Sequence, residues 1–156
     1  FLFSGMLLRG WSKPVSTCSS ISLGVRMYTS DISDSEYSQV VHSMLELLSD
    51  KLLEIEDEKE IPGFDVQYGD GVLRADLGGG NQYVINKQPP NKQIWLSSPL
   101  CGPKRYNWNR TEKKWVNTRD GHCLVSLVND EIKQITDVDL GLSAEELYSE
   151  AIQHKE

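Results

Sequence analysis

Apolar residues recur at three- and four-residue steps through Tyr37, Val40, Val41, Met44, Leu45, Leu48, Leu52 and Ile55. That is the period of one helical face, so the spacing predicts a helix over 34–57. Ser33 followed by Glu36 supplies a capping box at its start, and Pro62-Gly63 lies beyond its end. From Asp65 the period drops to two. Strands are expected over 65–68, 72–77, 82–88, 93–97, 106–109 and 114–118. Asp70-Gly71 and Gly78-Gly79-Gly80 read as turns, and Pro89-Pro90 and residues 99–103 as loops. Connections this short imply antiparallel pairing, because a parallel return needs about a dozen residues or more. The helical period resumes over 124–135, with Leu124, Leu127, Val128, Ile132 and Ile135 on one face. Ser143 and Glu146 would cap a third, short helix running to about Gln153. Helix, strands, then helix predicts an α+β fold: an α-β sandwich with two helices on one face of a five- to seven-stranded antiparallel sheet.

The alternation also exposes an anomaly. In Gln93-Ile94-Trp95-Leu96-Ser97, directing Ile94 and Leu96 toward the helices turns Trp95 outward with Gln93 and Ser97. On the preceding strand Val84, Asn86 and Gln88 share one face, opposite Tyr83 and Ile85. An open sheet face carrying a Trp, amides and nearby cations is a candidate protein-binding surface. The alternative is a Trp covered by a loop, or a sheet covered on both sides.

The length of 156 residues suits one domain. The formal charge of −7 argues against a nucleic-acid partner, which needs clustered Lys and Arg, and no apolar run is long enough to span a membrane. Charge is unevenly spread. Residues 31–65 hold eleven acids against two bases, a net −9, and residues 87–119 hold eight bases against one acid, a net +7. Such asymmetry in one domain implies two faces with different partners. Cys18, Cys101 and Cys123 form no paired motif and read as free thiols. Residues 1–30 contain Arg9, Lys13, Arg26 and seven serines but no acid, as a mitochondrial transit peptide does. Arg26-Met27-Tyr28 resembles a matrix-processing context; a disordered tail or secretory signal is the alternative.

On the polar side of the first helix, His42, Glu46, Asp50, Glu54 and Asp57 follow one another at three- and four-residue steps. Glu56, Asp57, Glu58 and Glu60 crowd its C-terminal end, where the helix dipole disfavours negative charge. A row of mutually repelling carboxylates reads either as a cation-binding crest or as a solvated face that docks a basic partner. Catalytic signatures are not evident. Gly78-Gly79-Gly80 lies between strands and is a turn rather than a phosphate cradle.

The stretch YVINKQPPNKQIWLSSP from Tyr83 to Pro99, then Gly102-Pro103-Lys104-Arg105-Tyr106, resembles the central signature of the frataxin family. The resemblance extends over about residues 34–135, through FDVQYGDGVLRADLG upstream and Trp108, Trp115 and Asp120-Gly121 downstream. It implies residence in the mitochondrial matrix, and a division into a transit peptide (1–29), a frataxin-like domain (30–136) and a C-terminal extension (137–156). It implies weak binding of ferrous and ferric iron by a ridge that maps onto Glu46, Asp50, Glu54, Asp57 and Asp65. His42 and Ser43 stand where relatives often carry acids. His42 either joins Glu46 as a ligand or is a solvated helix residue. The resemblance further implies a complex with cysteine desulfurase and the iron–sulfur scaffold protein, in which iron is delivered and cluster assembly activated. The contact residues map onto Asn86, Gln88, Gln93 and Trp95 on the sheet and Arg105 in the following loop. Some members are described as ferroxidases, which is the alternative function, and some monomers self-associate in iron. The loop from Trp108 to Trp115 looks longer than usual. The extension, with Leu142 and Leu147, would pack into the helix groove.

Overall fold

The computed structural model describes residues 32–147. Helix α1 spans Asp34–Glu58, and all eight apolar residues of the expected stripe are buried. Half of the capping box forms: the Glu36 N–H donates to Ser33 Oγ at 3.1 Å. The Glu36 carboxylate instead meets Arg110 at 3.2 Å, tying the helix start to the far edge of the sheet.

Six strands follow: β1 (Phe64–Gly69), β2 (Val72–Leu77), β3 (Gln82–Gln88), β4 (Gln93–Ser98), β5 (Gly102–Asn109) and β6 (Lys114–Asn117). They pair in chain order, each antiparallel to the next, and α2 (Leu124–Thr136) closes the layer. The fold is the expected α-β sandwich, with two main helices on one face of the sheet. The turn between β1 and β2 places Asp70 at φ 52° and Gly71 at φ 75°, the left-handed pair that a tight hairpin requires. Gly78 has φ 80°, and an added Cβ there would lie 2.8 Å from the Pro62 carbonyl oxygen, so this position takes glycine alone.

One strand boundary departs from expectation. Residues 102–105 read as the end of a loop, but they pair with β4, as Gly102 with Ser98, Pro103 with Ser97, Lys104 with Leu96 and Arg105 with Trp95. A proline one residue into a strand removes at most one ladder hydrogen bond, which the pairing on either side outweighs.

Leu73, Ala75, Leu77, Tyr83, Ile85, Ile94, Leu96, Tyr106 and Trp108 form the buried sheet face. Trp108 and Trp115 lie opposite each other in the β5–β6 hairpin, with ring centroids 5.3 Å apart. Tyr37 of α1 meets Trp115 edge-on at 6.1 Å, and its hydroxyl donates to the Gln93 carbonyl at 2.8 Å. Residues beyond α2 join this core. Leu140, Leu142 and Leu147 are buried, and Asn129 Nδ2 donates to the Leu142 carbonyl at 2.6 Å. Leu147 closes the seam between the helices and the β5–β6 hairpin, leaving only about 10 Å³ beside Val40, Met44 and Val125. Residues 144–147 are helical, with the Glu146 N–H on Ser143 Oγ at 3.1 Å. The rest of the third expected helix, like the N-terminal segment 1–31, lies outside the described residues.

Candidate functional site

The outer face of the sheet carries a polar network around one aromatic ring. Asn86, Trp95 and Arg105 are direct neighbours across β3, β4 and β5, and Gln88, Gln93 and Asn107 form the next row. Trp95 is half-buried, and among the described residues no helix lies on its side of the sheet. The Arg105 guanidinium lies 4.5 Å above the Trp95 ring centroid, an attraction of about 0.5–1 kcal/mol at an exposed site. Trp95 Nε1 donates to Gln93 Oε1 at 3.0 Å, and Gln93 Nε2 donates to Asn107 Oδ1 at 2.9 Å. The ring is therefore clamped from two sides.

This arrangement corrects the position of Arg105. It belongs to β5, directly opposite Trp95, and not to the following loop. Asn107 was not singled out from the sequence. Its signal is the alternation inside the expected strand 106–109, which turns Asn107 away from Tyr106 and Trp108.

The acidic residues occupy a different part of the molecule. Glu46, Asp50, Glu54 and Asp57 are exposed along α1, and Asp65 is exposed at the start of β1. Several are already engaged. Lys51 Nζ lies 3.0 Å from Glu54, and Gln67 Nε2 donates to Asp65 at 2.8 Å. His42 bridges two elements, with Nε2 at 3.4 Å from Glu46 and Nδ1 at 3.0 Å from the Tyr68 hydroxyl. Burial, and secondarily the Glu46 charge, hold the Tyr68 hydroxyl above its ordinary pKa, so it stays protonated as a hydrogen-bond donor. The last turn of α1 contains no basic residue. Among the described residues, no three His, Cys, Asp or Glu side chains converge to enclose a metal ion. The crest offers single carboxylates about one turn apart, which suit hydrated, exchangeable cations with oxygen ligands.

A third polar group sits inside. Glu131 of α2 is 7% exposed, and its Oε2 accepts from the Tyr83 hydroxyl and from Ser98 Oγ at 2.6 Å. Ser98 Oγ in turn accepts the N–H groups of Leu100 and Cys101 at 3.0 and 3.1 Å. Burial first, then the Glu131 carboxylate, push the Tyr83 hydroxyl far above its ordinary pKa. The network pins the loop that leads into β5, and so supports Arg105 from beneath.

A family model described as a frataxin-like domain matches residues 30–138. Mitochondrial frataxin of Dictyostelium discoideum is 43% identical over 113 residues, covering 72% of this chain and 58% of that protein. Mitochondrial frataxin of Arabidopsis thaliana is 35% identical, covering 74% and 62%. Mitochondrial frataxin of Caenorhabditis elegans is 46% identical, covering 70% and 82%. The chain thus spans less than two thirds of the length of some of these relatives. Among solved structures, trimeric frataxin from Saccharomyces cerevisiae complexed with ferrous iron aligns with a TM-score of 0.53 at 36% identity, over 64% of this chain and 87% of that one. A second yeast frataxin structure aligns with a TM-score of 0.58 at 29% identity, over 84% and 98%.

Proposed function

The chain belongs to the frataxin family, and on that premise we propose that it assists iron–sulfur cluster assembly. It is a mitochondrial protein, as the relatives named above are. In this reading it acts in the matrix as a binding module. Its open sheet face docks on a complex of cysteine desulfurase and scaffold protein, activates it, and supplies iron carried as cargo on the crest of α1.

The observation that carries the reading is the prearranged Trp95, held by Gln93 and stacked by Arg105 on a sheet face that no helix among the described residues covers. A solvent-facing Trp with an Arg above it is the composition of a binding hot spot. Asn86, Gln88 and Gln93 surround it with amide donors and acceptors that would hydrogen-bond a partner's backbone. The crest fits iron as cargo and not as a resident cofactor. Glu46, Asp50, Glu54, Asp57 and Asp65 present carboxylate oxygens to solvent without enclosing the ion, so both ferrous and ferric iron would be held weakly and released. His42 would contribute at the crest's first turn only by giving up its contact with Glu46 or Tyr68.

The test is cluster synthesis on the desulfurase–scaffold complex. Wild type stimulates it, and Trp95→Ala loses about 30-fold of that stimulation, corresponding to a hot-spot residue of about 2 kcal/mol. Because Trp95 is only half-buried, the variant keeps its fold, which circular dichroism checks. Undiminished stimulation by Trp95→Ala rejects the docking face.

A further inference from the structure

A polar recess of about 330 Å³ lies between the start of β5 and the turn leaving β6. Lys104 and Arg105 line it from one side, and Asn117, Thr118, Arg119 and Asp120 from the other. The backbone joins the two walls, with the Thr118 N–H donating to the Arg105 carbonyl at 2.9 Å. Asn117 Oδ1 accepts the Arg119 N–H at 2.8 Å, and Asp120 Oδ1 accepts the His122 N–H at 3.0 Å. The turn is therefore built by its own side chains and holds its shape.

Lys104, Arg105 and Arg119 line this recess together with one carboxylate, Asp120. Asp120 is shared with Lys104 at a long 3.8 Å. Arg105 stacks on Trp95, and among the described residues neither it nor Arg119 forms an ion pair with a carboxylate. In a chain of formal charge −7, leaving two guanidinium groups uncompensated around one concavity reverses the sign of the molecule locally. Concave walls focus such a field, which a scattered surface arginine does not do. Guanidinium forks match the oxygens of a phosphate bidentately, with a lysine as an added point charge. The exposed Thr118 hydroxyl supplies a further polar group at the rim.

We propose that this recess binds a phosphate group, either free inorganic phosphate or the head of a small phosphate monoester. Lys104, Arg105 and Arg119 balance its charge. The volume exceeds that of the phosphate alone, leaving room for a compact organic body. The inference shares only Arg105 with the docking face, so Arg119 tests it independently of cluster assembly.

The experiment is an amide chemical-shift titration of the full chain with sodium phosphate at neutral pH, against sodium chloride of matched ionic strength. Saturable shifts are expected at Thr118, Arg119 and Gly121 with phosphate, and none with chloride. Arg119→Gln, an exposed substitution that leaves the amide spectrum dispersed, weakens phosphate binding about tenfold. Arg74→Gln, at an exposed arginine on β2 outside the recess, leaves it unchanged. Repeating the titration with glycerol phosphate identifies the source: tighter binding assigns a monoester, and equal binding assigns free phosphate. Shifts that are linear in concentration, equal with chloride or untouched by Arg119→Gln overturn the proposal.

Discussion

Glu131 joins α2 to two strands and a loop through a single oxygen atom, so its replacement has several consequences at once. Tyr83 and Ser98 both donate to Oε2, and Ser98 relays the contact to Leu100 and Cys101. Removing the acceptor strands two buried hydroxyls, each costing about 1–3 kcal/mol. Glu131→Ala is therefore expected to lower stability by about 3 kcal/mol, and Glu131→Gln, which keeps one acceptor oxygen, by less. Urea unfolding followed by tryptophan fluorescence measures both, and an alanine variant as stable as wild type contradicts the network. This residue was not singled out from the sequence; its one local signal is an acid on the apolar stripe between Val128 and Ile135. Trp95 was legible for the mirror-image reason, as an apolar residue on the polar face. Both are exceptions to a local period, the helical one for Glu131 and the strand alternation for Trp95, but the partner of a buried carboxylate depends on register across 33 and 48 residues of chain, which no local pattern holds.

At the scale of elements, α1 carries a conflict between stability and charge. Its last turn has acids and no base, against the helix dipole. Asp57→Asn is expected to stabilise the protein by about 0.5 kcal/mol at low salt, with the gain shrinking as salt screens the dipole. The same change is expected to weaken ferrous iron binding in an anaerobic titration, because one oxygen-donor charge leaves the crest. A loss of stability, or unchanged iron binding, separates the crest from the role proposed for it. The helix was legible almost to the residue, since its burial stripe runs unbroken for more than five turns at the 3.6-residue period. Strand β5 was not, because Pro103 carries the local signature of a loop while the pairing of β4 overrides it. That single misplacement moved Arg105 off the sheet, so an error at one strand end became an error in the site.

The molecule as a whole places its candidate functions on opposite sides of one sheet. The helices, the acids of α1 and residues 138–147 lie on the helix side of the sheet, whereas Trp95 and its neighbours lie on the other, the face to which Asp65 of β1 also turns. Stability and docking should then be separable by mutation. Leu140, Leu142 and Leu147 together bury side chains worth about 1.5–3 kcal/mol each, so a chain ending at Asp139 loses roughly 5 kcal/mol. That is comparable to the entire stability of a small domain, about 5–15 kcal/mol. The sequence marked Leu142 and Leu147 but not Leu140, because the seven irregular residues after α2 carry no period to read. The truncated chain is expected to unfold at a much lower urea concentration, or to lose its cooperative transition. Leu142→Ala alone should cost about 2–4 kcal/mol while leaving the Trp95 face intact. Assayed at a temperature where it remains folded, Leu142→Ala should stimulate cluster synthesis as wild type does, whereas Trp95→Ala should be stable and inactive. If Leu142→Ala, though folded, loses stimulation as Trp95→Ala does, the two faces of the sheet are coupled. Docking would then depend on the helix layer as well as on the residues that touch the partner.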